Sequence, residues 1–333
     1  MKKIIITVLT TVTAMVVAAF MGLYMLLGGS LENVAQTVRL ISTMSFVKSQ
    51  YVDDVPLVQL VDGAIDGMVK SLGDKHSIYM DDENFKAFMQ QTEGSFGGVG
   101  IVMGFPKDGT CQVMSVIEDT PSAQAGIQPK DEIIKIDGAD VSNMQPDEMA
   151  AKVRGDEGTQ VVLTVRRQGQ EDFDVTLTRA IIPLTTAKGT IIDGTNIGYI
   201  RIASFSENTG KEFAKELAAL KEQNMGGLIV DLRANPGGLI TSCVEIADQL
   251  IPAGEIVSMT DKGGHKTIYE SQLESFDYPL VILIDGNSAS ASEILAGAVQ
   301  DRQCGTIVGT KSYGKGSVQT MLPLNYGDGL KLT

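Results

Sequence analysis

Three short segments of this 333-residue chain carry residue types that could do chemistry. The first is Asn287-Ser-Ala-Ser-Ala-Ser-Glu293, which follows the apolar run Leu280–Ile284 and opens a helical pattern from about Ala291 to Gln300. A serine at such a turn lies at the positive end of a helix dipole. The first N–H groups of a helix have no partner inside it, so they can stabilise an oxyanion. The second segment is Gly314-Lys315-Gly316. A buried lysine loses its proton more readily, because desolvation disfavours the charged form. Its neutral amine can then serve a serine hydroxyl as general base. The third is Asp231-Leu-Arg-Ala-Asn-Pro-Gly-Gly238, at the carboxyl end of the strand pattern Gly227–Leu232. Ligands gather at that edge of α/β sheets, and paired glycines can aim N–H groups at developing negative charge. Taken singly, each segment also reads as plain structure: a helix cap, a solvated loop lysine, a turn.

The elements that must position these residues alternate from Ile181 onward. Strand patterns at Ile197–Ile202, Gly227–Leu232, Glu255–Met259, Leu280–Ile284 and Thr306–Val308 are separated by helical patterns. The helices fall at Glu207–Gln223, with Phe213, Leu217 and Leu220 on one face, at Leu239–Leu250, and after Ser290. The alternation predicts an α/β core over residues 181–333 with substantial parallel sheet. The chain stops at Leu332-Thr333 within a strand-like run, so this core is expected to be C-terminally truncated.

Residues 91–180 have another character. Short β patterns occur at Val99–Met103, Gln112–Ile117, Glu132–Ile136, Gln160–Arg166 and Phe173–Leu177, with the turn dipeptide Asp137-Gly138. Pro121–Ala125 and Pro146–Val153 suit helices. This predicts a small, mainly β domain. Residues 30–90 read as helical, with stripes at Leu31, Val34, Val38, Ile41 and at Val58, Val61, Ile65, Val69. A helical arm that packs on something is the expectation.

The N-terminus follows from charge. After Lys2 and Lys3, residues Ile4–Leu27 contain no charged side chain, a run longer than the ~20 residues that span a bilayer. The lysines before the run place the N-terminus inside. Residues 1–29 are therefore expected to be a signal anchor, with a cleaved signal peptide as the rival. In either case the bulk of the chain is exported, with the catalytic part extracytoplasmic and a single pass through the cell membrane in the first. The net charge of −14, without a basic stripe, argues against nucleic acid as a partner. Cys111, Cys243 and Cys304 are far apart and lack metal-ligand spacing, and read as small buried residues, though a disulfide between two of them stays open. His76 and His265 sit in no metal motif, so a catalytic zinc is not expected.

Together the three segments resemble the C-terminal processing peptidases, or tail-specific proteases, from about residue 40 onward. The resemblance implies a serine endopeptidase with a ClpP/crotonase-like α/β core, an inserted PDZ domain and a helical arm. It implies Ser290 as nucleophile, Lys315 as general base and Gln319 as the residue that orients the base, with Asp301 a candidate third member. Residues four apart on a strand share a face, which would let Lys315 and Gln319 meet. The oxyanion donors implied are the N–H of Ala291 and of a glycine in Gly237-Gly238. No cofactor is implied. Gly94-Ser-Phe-Gly-Gly-Val-Gly-Ile101 resembles a carboxylate-binding loop, and Thr120–Ile127 with Asp131–Gly138 the central PDZ signature. Gly97, Gly98, Val99, Gly100 and Ile101 would hold an apolar C-terminal tail of a protein substrate, added as an extra strand. Arg154 is a candidate switch between PDZ domain and core, and a homodimer through the arm is implied. One departure stands out: the family's Asp-Pro-His-Ser reads Asp74-Lys-His-Ser77 here. Two rival readings are a membrane-tethered PDZ adaptor with an idle core and an acyl-CoA enzyme of related shape. The intact Ser290, Lys315 and Gln319 set opposes the first, and export with the PDZ segment opposes the second.

Overall fold

The computed structural model describes residues 2–106, 110–142 and 144–333, with side chains from residue 11 onward. The chain forms two compact units. The smaller holds the residues up to Asp81 with Thr320–Asn325 and Gly329–Thr333, and the larger holds Asp82–Gln319 with Tyr326–Asp328. The helical region expected over 30–90 therefore divides at Asp81.

The smaller unit begins with α1 (Lys2–Leu26), α2 (Leu31–Gln50) and α3 (Leu57–Lys70), followed by β1 (Ile78–Met80). Gly28 and Gly29, both at positive φ, end α1, and Ser30 Oγ accepts the Asn33 N–H to start α2. Of the expected membrane run, residues 4–10 lie outside the described side chains. Among the described residues no single helix is long and apolar enough to cross a membrane, and one pair, Thr11–Leu26 with Leu31–Gln50, meets the test only across a bend of 102°. Within the stripes Val34 and Val69 are buried, whereas Leu31, Val38, Ile41 and Val58 stay exposed. The turn that lacks the proline is closed by Asp74 instead. Its carboxylate accepts the Ser77 hydroxyl at 2.6 Å and the His76 N–H at 3.0 Å. Bonds from Ser77, Thr333 and His76, in that order, hold the Asp74 carboxyl well below the usual range.

The larger unit opens with α4 (Asp82–Glu93), β2 (Ser95–Gly98), β3 (Ile101–Gly104) and β4 (Cys111–Val116). It continues with α5 (Pro121–Gln124), β5 (Glu132–Ile136), β6 (Ala139–Asp140), α6 (Pro146–Val153), β7 (Gln160–Arg166) and β8 (Phe173–Thr178). Strands run β3-β4-β5-β7-β8 in an antiparallel sheet, with β6 on β5. Val113, Ile133, Ile136, Val161, Leu163 and Val165 fill its core with Met149 and Val153 of α6. The strand expected over Val99–Met103 is broken. Gly100 turns at φ 83, where a Cβ would lie 2.2 Å from Thr120. The chain therefore bends there, and β3 starts afresh as an edge strand.

β9 (Ala180–Pro183) pairs with β2 as a separate antiparallel ribbon. Nothing in the alternation of apolar residues announced it, because its partner segment includes Gly97 and Gly98. A Cβ at Gly97 would stand 2.0 Å from the Gly155 carbonyl oxygen. Just before β9, the nearly buried Arg179 donates to the carbonyls of Lys152 and Val153, closing the C-terminal end of α6.

The core then runs β10 (Ala187–Ile191), β11 (Ile197–Ile202), α7 (Thr209–Glu222), β12 (Gly227–Asp231), α8 (Ile240–Ala247), β13 (Gly254–Thr260) and β14 (Lys266–Ser271). β15 (Leu280–Ile284), α9 (Ala291–Asp301) and β16 (Thr306–Gly309) follow. The sheet order is β10-β11-β12-β15-β16, parallel except for β10. Ile200, Ile202, Val230, Leu232 and Ile282 pack with Phe213, Leu217 and Leu220 of α7, Ile246 of α8, and Leu295 and Val299 of α9. Each such side chain stabilises the fold by about 1.5–3 kcal/mol when fully buried. Glu212 accepts the N–H groups of Thr186 and Ala187, and Glu216 that of Gly189, so α7 closes the open edge at β10. β17 (Thr320–Pro323) and β18 (Gly329–Leu332) join β1 in a three-stranded antiparallel sheet of the smaller unit. All three cysteines are free thiols, and burial pushes Cys111 up to about 11 and Cys243 to about 12.

Candidate active site

β15 and β12 are parallel neighbours, so the segments after them leave the sheet at one edge. After β15 the Asp285 carboxylate accepts the N–H groups of Ala234, Asn287 and Ser288, which winds the serine run into a tight turn. Ser288 Oγ donates to the Leu232 carbonyl at 2.7 Å, and Ala289 N–H to the Asn235 carbonyl at 3.1 Å. These bonds bring Ser290 to the mouth of α9 at φ 54, ψ −115. A non-glycine residue in such a conformation is strained by about 1–3 kcal/mol and persists only where its surroundings over-determine it.

The glycine pair lies against this turn. Gly237 has φ 98, and a Cβ on it would stand 2.6 Å from the Ala289 carbonyl oxygen, 2.8 Å from Ser290 Cβ and 3.0 Å from Ala291 N. Only glycine allows that approach. The Gly237 N–H is already given to Asn235 Oδ1 at 2.8 Å. The Gly238 N–H makes no hydrogen bond among the described residues, and Gly238 is exposed. Ala291, first residue of α9, has no partner for its N–H inside the helix. Of the two glycines expected as donors, Gly238 is thus the one with an uncommitted N–H.

Lys315 and Gln319 meet, but not by the expected route. Residues 311–319 are irregular rather than strand, and the chain turns at Gly314 with φ 87. Lys315 Nζ donates to Gln319 Oε1 at 2.5 Å, and Gln319 Nε2 to Ser317 Oγ at 3.0 Å. This loop is joined to the serine turn by a bond from the Tyr313 N–H to the Ser288 carbonyl at 3.0 Å and by Glu293, which its sequence motif did not single out. Its Oε2 accepts the N–H groups of Ser290 and Lys315, and its Oε1 the Gly314 N–H and the Ser312 hydroxyl. Burial opposes its ionisation, but the bonds from Ser312, Lys315, Gly314 and Ser290 outweigh that and hold its carboxyl below the usual range. The signal was the spacing Ser290-x-x-Glu293, that of a capping box.

Comparison with known proteins decides the family. The profile of peptidase family S41 matches residues 196–333, a PDZ domain residues 112–167, and the activating protease CtpB N-terminal domain residues 28–84. A carboxy-terminal-processing protease of Bartonella bacilliformis is 39% identical over 298 residues, covering 86% of this chain and 67% of its own length. The chain belongs to the carboxy-terminal processing proteases of peptidase family S41. The carboxy-terminal processing protease CtpB of Bacillus subtilis is 36% identical over 292 residues, 86% of this chain and 61% of the relative. The chain thus spans about three-fifths of the length of that relative. A solved photosystem II D1 C-terminal processing protease aligns at 27% identity over 88% of this chain and 86% of its own, with a TM-score of 0.48.

The other residues singled out in this member of the family fall differently. Asp301 ends α9 and is exposed, about 15 Å along the helix axis from its start, so the helix does not bring it to Ser290. Gly97 and Gly98 belong to the β2–β9 ribbon. Val99 is 1% exposed and part of the β domain's core rather than lining a groove, and Gly100 and Ile101 lead into edge strand β3. The Arg154 guanidinium stacks over the Phe96 ring at 4.9 Å, so it contacts the ribbon that links the β domain to the core. Asp231, fully buried, accepts the Tyr199 hydroxyl at 2.6 Å and the backbone, Nε and Nη2 N–H groups of Arg233, with Arg201 at 3.7 Å. Burial works against the charged form there, but Arg233 and Tyr199 outweigh it and hold the carboxyl at about 2.

Proposed function

We propose that this carboxy-terminal processing protease is a serine endopeptidase that cuts proteins near an apolar C-terminal tail, with Ser290 as nucleophile and Lys315 as general base. The observation that carries the reading is the strained Ser290 at a helix mouth, hydrogen-bonded through one carboxylate to the backbone of Lys315. The neutral Lys315 amine takes the Ser290 hydroxyl proton, and Oγ attacks the scissile carbonyl. The tetrahedral oxyanion rests on the N–H groups of Ala291 and Gly238. The lysine ammonium then protonates the leaving amine; in deacylation the regenerated neutral Lys315 amine takes a proton from the attacking water and returns it to Ser290 Oγ as the acyl bond breaks. Gln319 fixes the lysine through the bond at 2.5 Å.

The PDZ domain takes the substrate tail as an added strand on β3, whose outer edge has no partner strand among the described residues, with the terminal carboxylate at the turn Val99–Ile101. Arg154, resting on Phe96, passes tail binding to the core. The exposed stripes of α2 and α3 bury against a second copy, and the uncharged N-terminal run anchors the exported protein in the cell membrane. A reporter active only outside the cytoplasm, fused after residue 40, tests export, and an inactive fusion refutes it. Sedimentation of the exported part tests the dimer, and a monomer throughout the micromolar range refutes it.

The deciding experiment is labelling with a serine-reactive phosphonate in the presence of a peptide with a free apolar C-terminus. Labelling and cleavage in the wild type, both lost in Ser290→Ala, support the reading. Cleavage retained by Ser290→Ala sinks it.

A further inference from the structure

We infer that Glu293 is a positioning residue that holds the lysine loop in register with the nucleophile turn. The inference rests on the roles proposed for Ser290 and Lys315. A capping carboxylate needs only the N–H at the start of its own helix, here that of Ser290. Glu293 accepts three further donors, and all come from the loop at 312–315, some 20 residues onward in the chain. Helix capping has no use for them. Both carboxylate oxygens are divided between partners: Oε2 takes Ser290 N–H and Lys315 N–H at 2.9 Å each, and Oε1 takes Gly314 N–H at 2.6 Å and Ser312 Oγ at 2.7 Å.

The chemistry of the group explains the choice of residue. An ionised carboxylate is acceptor-only, with about four lone-pair sites, and four donors converge on it. A glutamine of the same size offers one acceptor oxygen and turns an NH2 group toward two donors. It can keep either the Ser290 and Lys315 pair or the Ser312 and Gly314 pair. Either choice loosens the Lys315 backbone relative to Ser290. The loop is irregular and has no ladder of strand bonds: the Tyr313 N–H donates to the Ser288 carbonyl at 3.0 Å, but Lys315 lies beyond the positive-φ turn at Gly314, where its N–H is held by Glu293. Glu293 does not touch substrate, and its loss should slow the proton transfer rather than weaken binding.

The test compares full-length wild type, Ser290→Ala, Glu293→Gln and Ser312→Ala on one peptide with an apolar C-terminus, with rates normalised to the concentration of folded protein. Glu293→Gln is expected to lower kcat by about tenfold to ~10²-fold, the scale for a misplacement near 1 Å, with KM within about twofold. Ser312→Ala, which removes one donor and leaves the fold intact, is expected to lower kcat by about threefold or more. A smaller fall in kcat for Glu293→Gln, or a change confined to KM, overturns the inference. Should Glu293→Gln fail to fold, Ser312→Ala decides alone, and a kcat within about threefold of wild type overturns it. If Ser290→Ala cleaves like the wild type, the catalytic reading falls and takes this one with it. If Ser290→Ala is dead and Glu293→Gln is not slowed, only the positioning role falls.

Discussion

Ser290 and Lys315 donate their backbone N–H groups to the same oxygen, Oε2 of Glu293, each at 2.9 Å. The contact joins a strained turn after a parallel strand to an irregular loop that follows the last strand of that sheet. With the Tyr313 N–H donated to the Ser288 carbonyl at 3.0 Å, it ties the relative position of the two segments.

Lys315→Ala and Lys315→Arg should both abolish turnover of a tail-bearing peptide, by about 10³-fold or more, because the arginine stays protonated and cannot accept a proton. Gln319→Ala removes an acceptor of the lysine amine and is expected to lower kcat by about tenfold. In the wild type the rate should rise with pH as the lysine deprotonates. Steady-state kinetics across neutral and alkaline pH check this, and a flat profile with chemistry rate-limiting counts against the lysine as base.

The two glycines of the third segment should fail for different reasons. A Cβ at Gly237 presses on Ala289, Ser290 and Ala291, so Gly237→Ala is expected to damage catalysis more than folding. A Cβ at Gly238 would stand 2.0 Å from the Phe205 carbonyl oxygen, on buried backbone that cannot yield. Gly238→Ala should therefore destabilise the protein by about 3 kcal/mol or more. Thermal unfolding and phosphonate labelling of both variants separate the cases. Equal melting temperatures for Gly238→Ala and wild type would contradict this packing.

Asp231 gives stability a dependence on acid. Its folded carboxyl is held at about 2, below its ordinary 3.8, so the contribution is complete above the ordinary value and is lost as pH falls toward about 2. The difference corresponds to about 2 kcal/mol. Asp231→Asn should flatten the loss of stability between about pH 4 and pH 2. It should also weaken the fold at neutral pH, since Arg233 and Tyr199 lose a charged partner. Denaturant titrations at stepped pH read both effects, and parallel acid curves for the two proteins would refute the assignment.

Capture of a tail by the PDZ domain should show in KM. Amidating the C-terminus of a peptide substrate removes the terminal carboxylate, and KM is expected to rise by about tenfold or more with kcat little changed. Equal KM for the free acid and the amide would place recognition elsewhere.

Much of the architecture could be read beforehand. β7, β5, β11 and β15 lie where period-two or continuous apolar patterns placed them, since burial on one face or two leaves that mark. β2, β9 and β10 were not legible. They are short ribbon and edge strands, two of them containing glycine, and what holds them is pairing with distant segments. The strand assigned to Lys315–Gln319 was wrong for a related cause: the loop is shaped by Gly314 and Glu293, and not by a ladder.

The amino-acid sequence alone determined which residues carry reactive groups, which runs must be buried, and that the serine turn opens a helix after a buried strand. Composition and periodicity are local properties, and these conclusions need nothing more. Only the tertiary structure decided that Gly237 spends its N–H on Asn235, leaving that of Gly238, that Asp301 stands at the far end of α9, and that Glu293 links the serine turn to the lysine loop. Hydrogen bonds between segments depend on how separate pieces of chain are brought together in space, and no short window of sequence contains that relation.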